Sequence, residues 1–189
     1  MTTHEVKQAI SYWTKWANET KQYDIALFKI WIKFEQFISK LFELYATGQS
    51  SETGYIPNRR LEFQNEEHLN LFLRGKSKPY IEYWGVIEHL SKHIFVENPF
   101  DILVSDATIT SSFKEIRAIR NYIAHESGEA KRKLVKSCFS GNDKHFREPN
   151  DYLTSRNKTT KNSYYTDYVE TISNTVEILI DPRPTTTEG

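Results

Sequence analysis

Hydrophobic residues recur at intervals of three and four positions along most of the chain, which is the period of an amphipathic α-helix. The repeat is longest between Tyr23 and Ala46, where it consists of Leu27, Trp31, Phe34, Ile38, Leu41 and Tyr45. Stretches rich in β-branched residues are too short and irregular to build a sheet. The pattern therefore predicts an all-α protein whose long second helix carries a core-facing stripe.

Other helices are expected where the same period returns between residues that start or stop helices. The string Ser112-Phe113-Lys114-Glu115 has the form of a capping box, so we expect a helix to begin there. A break is expected at Ser127-Gly128, with helical composition resuming from Glu129 to Cys138. The remaining predicted helices cover about residues 3–18, 66–73, 79–94 and 165–179, with Gly75 ending the second of these and Pro79 opening the third.

Two polar segments without periodicity, residues 48–60 and 140–162, are predicted to be loops. Length favours one domain, which we place at residues 1–180. Pro182 and Pro184 end the last helix, so residues 181–189 are predicted to be a disordered tail.

The segment 120–125, with the sequence Arg-Asn-Tyr-Ile-Ala-His, concentrates the candidate chemistry. The guanidinium of Arg120 is always charged, and its planar fork matches a pair of phosphate oxygens. His125 supplies an imidazole, the side chain that most often acts as a general acid or base near neutral pH. Asn121 adds an uncharged donor for a phosphate oxygen. These residue types suit cleavage of RNA.

The string Ile119-Arg120-Asn121-Tyr122-Ile123-Ala124-His125-Glu126 resembles the signature of the HEPN superfamily. A long aromatic-rich early helix containing Phe34-Glu35-Gln36-Phe37 and a closing helix after a polar stretch agree with this resemblance. It implies a HEPN-like bundle of about five to seven helices. It also implies a homodimer in which two motifs face one cleft.

Residues five apart on an undistorted helix lie about 140° apart around its axis, so Arg120 and His125 do not converge on one spot. A composite dimer site supplies two histidines, one for the attacking 2′-hydroxyl and one for the leaving 5′-oxygen. We therefore predict metal-independent transesterification without a cofactor. His125 moves protons, Arg120 stabilises charge on the phosphate, and Asn121 orients a nonbridging oxygen.

Glu35 lies at the flank of the apolar stripe on the second helix. Its unpaired burial would cost several kcal/mol, so the carboxylate needs a partner. The resemblance implies that it supports the motif by contacting Arg120 or His125. The alternative is a glutamate that reaches water beside Lys33 or Lys40.

The chain has no net charge, which argues against nonspecific coating of nucleic acid. Residues 114–161 nevertheless contain 12 Lys or Arg against 6 Asp or Glu. Four basic residues after the motif are predicted to guide RNA toward it, although a solvated helix face is the open alternative. They are Lys131, Arg132, Lys133 and Lys136.

Other features narrow the functional class. A single cysteine, Cys138, excludes an intramolecular disulfide and favours a reducing, cytoplasmic setting. The chain has no long apolar run and no signal-peptide core, so contact with a membrane is not expected.

His89 and His93 have the spacing of metal ligands on a predicted helix, but the sequence lacks the glutamate of a zinc-protease motif. For the aromatics, packing is favoured over stacking on bases; they are Tyr12, Trp13, Trp16, Trp31 and Trp84.

The leading interpretation is an endoribonuclease of a toxin–antitoxin or antiviral defence system, with RNA as substrate and an antitoxin or defence protein as partner. The alternative is a non-catalytic HEPN binding or assembly module within a larger complex. A helical nucleic-acid binder without catalysis is a third possibility. Ser127 replaces the tyrosine of one HEPN subgroup, which argues against control by tyrosine adenylylation.

Overall fold

A computed structural model describes residues 2–74 and 83–182. Its regular structure within those ranges is entirely helical, which confirms the predicted all-α class. The α-helices are α1 Thr3–Thr20, α2 Tyr23–Ala46, α3 Glu66–Arg74, α4 Tyr83–His89, α5 Ser91–Ile94, α6 Ile102–Ser105, α7 Ala107–His125, α8 Gly128–Cys138, α9 Pro149–Thr154 and α10 Tyr164–Ile180. A short 3-10 helix spans Asp143–His145.

The prediction for α2 is confirmed at both ends, and α1 continues two residues past its predicted end. Thr2 and Glu5 form a capping box at the start of α1, and Lys21 closes the helix in a left-handed conformation. Among the described residues, no helix is long and apolar enough to cross a membrane. Gly75, Pro79 and residues 183–189, which include most of the predicted tail, lie outside the described residues.

The predicted start of the motif helix is wrong, because α7 begins at Ala107 rather than at Ser112. The Asp106 carboxylate accepts a hydrogen bond from the Ile109 N–H at 2.8 Å and caps the helix. The capping-box pattern therefore lies inside α7, where Glu115 has tertiary partners instead.

The helix predicted to end at Ile94 is divided, since α4 ends at His89 and α5 begins at Ser91. His89 and His93 consequently lie on different helices and do not form the predicted pair one turn apart. A hydrogen bond of the turn type lies between the two helices, where the His93 N–H donates to the Leu90 carbonyl at 2.9 Å.

The predicted loop at 140–162 is also wrong in part, because it contains α9 and the 3-10 helix. Pro149 stands in the first turn of α9, and Tyr152 and Leu153 are buried. Six residues are too few to show a helical period, so the pattern missed this element.

The core forms around α2, which packs against α1, α7 and α10. Phe113 of α7 inserts between rings of α2 and α4, with centroid distances of 5.3 Å to Trp31, 5.1 Å to Phe34 and 5.7 Å to Trp84. These rings are buried, so the expectation of packing holds for Trp31 and Trp84, whereas Tyr12 is 62% exposed. The cluster fixes α7 against α2.

Hydroxyl groups from distant parts of the chain satisfy the carbonyls that end α10. The Tyr45 hydroxyl donates to the Leu179 carbonyl at 2.8 Å. The hydroxyls of Ser51 and Thr53 donate to the Ile180 carbonyl at 2.6 and 2.7 Å. The last helix is therefore held by partners near the end of α2 and in the loop after it.

A buried polar cluster joins α7, α9 and α10. The Tyr168 hydroxyl donates to Glu115, and the Tyr152 hydroxyl lies 3.1 Å from that of Tyr168 and 3.5 Å from Glu115. Burial raises the pKa of Glu115 above its usual range, although the tyrosine hydrogen bonds oppose this shift.

This raised pKa predicts a pH-dependent stability. The folded state holds a proton on Glu115 more tightly than the unfolded state does, so stability from this group is greatest below the ordinary carboxyl pKa of 4.5. It is lost as the pH rises through the folded pKa. We expect Glu115→Gln to make this decline shallower in urea unfolding between about pH 4 and 7. The exposed Glu170→Gln should keep the wild-type slope, and equal slopes for all three proteins would contradict the prediction.

Candidate functional site

Arg120 lies on the part of α7 that faces α2, where two side chains orient its guanidinium. Its Nη2 is 3.8 Å from Glu35 Oε2, and its Nη1 donates to Asn121 Oδ1 at 3.0 Å. The Arg120 and Glu35 side chains are 33% and 35% exposed. The Arg120 Nε is buried and has no hydrogen-bond partner in the described structure. Glu35 and Asn121 thus hold the guanidinium through its outer nitrogens.

The structure therefore places Glu35 beside Arg120, which was one of its two expected partners. The pair is an ion pair without a hydrogen bond at this distance, and its partial exposure limits its contribution to stability to about 1 kcal/mol or less. Its effect is mainly on the orientation of Arg120. A functional role for Glu35 stays a prediction.

An open groove with a volume of about 510 Å³ lies along α2 at Arg120. Glu35, Lys40 and Glu43 are among the residues that line it. Lys40 contacts Glu43 at 3.2 Å and Glu66 at 3.3 Å, and the Tyr83 hydroxyl donates to Glu43 at 2.5 Å. Lys40 and Glu43 are therefore occupied by each other and by their neighbours, and the Arg120–Glu35 ion pair also lines the groove.

His125 is the last residue of α7 and is exposed. Its imidazole makes no hydrogen bond or ion pair with another residue in the described ranges. Glu126 follows in a left-handed conformation with φ 45°, and Ser127 caps α8. The imidazole is therefore accessible to a substrate.

The break that the sequence predicts at Ser127-Gly128 is present, but it cannot bring His125 toward Arg120 because it begins after His125. Both residues belong to one uninterrupted helix, and their spacing sets them about 140° apart around its axis. The helix itself therefore does not bring the two side chains to one spot.

The predicted RNA-contacting residues lie on α8 and are exposed, but they differ in their surroundings. Lys133 forms an ion pair with Glu129 at 2.8 Å, and the Lys131 ammonium lies 4.0 Å from the centre of the Phe146 ring. In the part of the chain that the structure describes, Arg132 and Lys136 have neither kind of partner. Arg132 and Lys136 lie about 40° apart around the helix, so those two share a face.

Tyr122 connects the motif helix to a segment that the sequence pattern did not associate with it. Its hydroxyl donates to Glu148 at 3.4 Å, and its ring lies 6.0 Å from that of Phe146. Phe146 also contacts Phe139 at the end of α8. Aromatic residues within a polar segment were the signal that could have identified this packing.

The described residues contain no group of three or more His, Cys, Asp or Glu side chains that could hold a metal ion. Comparisons of the chain with protein-family models, with curated proteins and with solved structures give no match. The resemblance to HEPN proteins therefore depends on residues 119–126 and on the order of helices along the sequence.

Proposed function

We propose that this protein is a HEPN-type endoribonuclease that cleaves RNA by attack of a 2′-hydroxyl on the adjacent phosphate. The observation that carries the proposal is the arrangement on α7. Arg120 is oriented by Glu35 and Asn121 and is partly exposed, while His125 is exposed and unpartnered within the described structure. A charged fork and a free imidazole are the groups that this reaction requires.

The reaction needs no redox partner and balances within the RNA. His125 of one protomer accepts the proton of the 2′-hydroxyl as its oxygen bonds to phosphorus. The bond between phosphorus and the 5′-oxygen breaks, and His125 of the second protomer donates a proton to that leaving oxygen. Arg120 stabilises the charge on the nonbridging oxygens. Asn121 accepts from Arg120 through its carbonyl oxygen, which leaves its amide N–H groups for a phosphate oxygen.

RNA cleavage in excess EDTA tests the proposal. We expect the purified protein to release fragments with 2′,3′-cyclic phosphate and 5′-hydroxyl ends, because the internal nucleophile forms the cyclic product. DNA of the same sequence should stay intact, since it lacks the 2′-hydroxyl. Total RNA and tRNA are suitable substrates, with fragment ends read by phosphatase and kinase sensitivity. Cleavage of DNA, or fragments with 5′-phosphate ends, would contradict the mechanism.

The composite site makes a second prediction about mixed dimers. When wild-type protein and His125→Ala are mixed equally and exchange subunits, about one quarter of the dimers contain two histidines. We expect cleavage at about one quarter of the rate of the same total amount of wild-type protein. A rate of about one half would mean that each protomer cleaves alone. Wild type mixed with His93→Ala, a change at an exposed histidine on α5, should keep the full rate.

We propose that the enzyme acts in the cytoplasm as part of a toxin–antitoxin or antiviral defence system, where an antitoxin or defence protein restrains it. Growth arrest on expression that Arg120→Ala relieves would support this setting. Equal toxicity of the variant would contradict it.

A non-catalytic binding or assembly module is the second candidate function. It is favoured by the 140° separation of Arg120 and His125 and by the lack of a described residue that orients the imidazole. A protein with this function would bind its partner equally well after His125→Ala and would cleave no RNA.

A further inference from the structure

A second surface cavity, with a volume of about 720 Å³, lies between the end of α8, α9 and the start of α10. Neither Arg120 nor His125 lines it. The residues that line it and carry its chemistry are His145, Arg147, Tyr152, Arg156, Lys158 and Tyr164.

The charge of this cavity is one-sided. Arg147, Arg156 and Lys158 line it together with His145, and no Asp or Glu is among the described lining residues. The chain as a whole has equal numbers of acidic and basic residues, so this local excess is not a general property of its surface. A concave surface with cations and no carboxylate favours an anionic ligand.

The basic side chains of this cavity also have donors that are not used by the described residues. Arg147 and Lys158 are exposed, and their side chains make no hydrogen bond or ion pair with another described residue. Arg156 donates through Nε to the Lys161 carbonyl at 2.8 Å. That bond fixes the arginine stem and leaves the outer guanidinium nitrogens available, which suits bidentate contact with a phosphate.

An aromatic surface stands beside these cations. The rings of Tyr152 and Tyr164 are stacked, with their centroids 4.4 Å apart and an angle of 23° between their planes. Tyr152 is buried, whereas Tyr164 is only half-buried and is the outer ring of the pair. Phe139 contributes further apolar surface. A flat aromatic ligand can therefore stack at the outer tyrosine while its anion meets the cations.

The loop that carries Arg156 and Lys158 is held by hydrogen bonds before any ligand binds. Asn157 and Thr160 donate to the Asp167 carboxylate at 2.7 and 2.6 Å. The Asn157 N–H donates to the Asn162 carbonyl at 2.8 Å. Asp167, the acidic group that caps this loop, is thus occupied by its own hydrogen bonds. A preformed loop lowers the entropic cost of binding.

From these features we infer that the cavity binds an unpaired nucleotide, with its phosphate at Arg147, Arg156 and Lys158 and its base at Tyr164. The nucleotide is either part of a single-stranded RNA or a free mononucleotide, since both present the same phosphate and planar base. The inference rests on the cavity itself and does not require RNA cleavage at His125.

Binding of a short fluorescent 2′-O-methyl RNA to the full chain tests this inference separately from cleavage, because the methyl group blocks the nucleophile. We expect the double variant Arg147→Gln, Lys158→Gln to weaken binding at least about tenfold, and Tyr164→Leu about three- to tenfold. Lys144→Gln changes an exposed cation of the same segment that does not line the cavity, and it should bind as the wild type does.

Competition with AMP and with inorganic phosphate then identifies the source of the ligand. Displacement of the oligonucleotide by AMP at low concentration assigns the site to a free nucleotide, whereas resistance to AMP assigns it to an RNA strand. Either outcome supports the site when the double variant weakens binding. Equal affinity of the double variant and the wild type overturns the inference. If AMP displaces the oligonucleotide and inorganic phosphate displaces it equally well, the inference is also overturned, because the base would then contribute nothing.

Discussion

Replacing His125 with alanine is expected to lower the rate of RNA cleavage by about 10²–10⁴-fold, which is the usual contribution of general acid–base catalysis. The imidazole is exposed and has no side-chain partner within the described residues, so its removal leaves α7 and the core unchanged. The loss should therefore appear in the chemical step. Single-turnover cleavage of a labelled RNA in EDTA, with unfolding midpoints measured in parallel, checks both parts of the prediction.

His93→Ala is the matched control for this variant, because His93 is also exposed and lies on a different helix. It should cleave at the wild-type rate. If His125→Ala stays within about threefold of the wild type, then His125 is not a general acid or base, because such a group contributes far more. The non-catalytic binding module would then become the better interpretation.

Replacing Phe113 with alanine is expected to lower the free energy of unfolding by about 3–5 kcal/mol, the usual cost of a large cavity at a buried phenylalanine. Phe113 is fully buried and contacts Trp31, Phe34 and Trp84. These rings hold α7 against α2 and thereby place Arg120 beside Glu35. Urea unfolding followed by circular dichroism measures the change.

Phe113→Leu keeps most of the buried volume and should cost less than about 1.5 kcal/mol. Phe72→Ala removes a ring that is 51% exposed, so its effect should be smaller still. A loss of less than about 1 kcal/mol for Phe113→Ala would mean that the aromatic cluster does not fix the position of the motif helix.

Long periodic segments predicted the fold well because burial of one helix face dominates their conformation. The stripe from Leu27 to Tyr45 predicted the long helix α2, whose observed bounds agree with the expected ones. The misplaced start of α7 shows the limit of local signals, since Asp106 and the Ser112–Glu115 pattern both have capping chemistry. In the fold Asp106 is the cap, and Glu115 instead accepts hydrogen bonds from tyrosines 37 and 53 positions away.

The residues around Arg120 and His125 could be predicted from the sequence, whereas the cavity beside α8, α9 and α10 could not. The motif supplied Arg120 and His125, and the flank of the apolar stripe supplied Glu35. The separation of Arg120 from His125 follows from helix geometry alone. In contrast, the contacts of Phe146, Tyr152 and Tyr164 arise when a polar segment without a period folds back on α8 and α10. The spacing of apolar residues along a segment does not predict such long-range contacts.

The hydroxyls that satisfy the end of α10 have a consequence for synthesis of the chain. Their acceptors lie 127–134 residues further along the sequence, so the groups that receive α10 leave the ribosome long before it does. Until α10 emerges, the apolar surface of α2 that it covers stays open to chaperones. A nascent chain therefore cannot complete the packing around the motif helix until translation has passed Ile180.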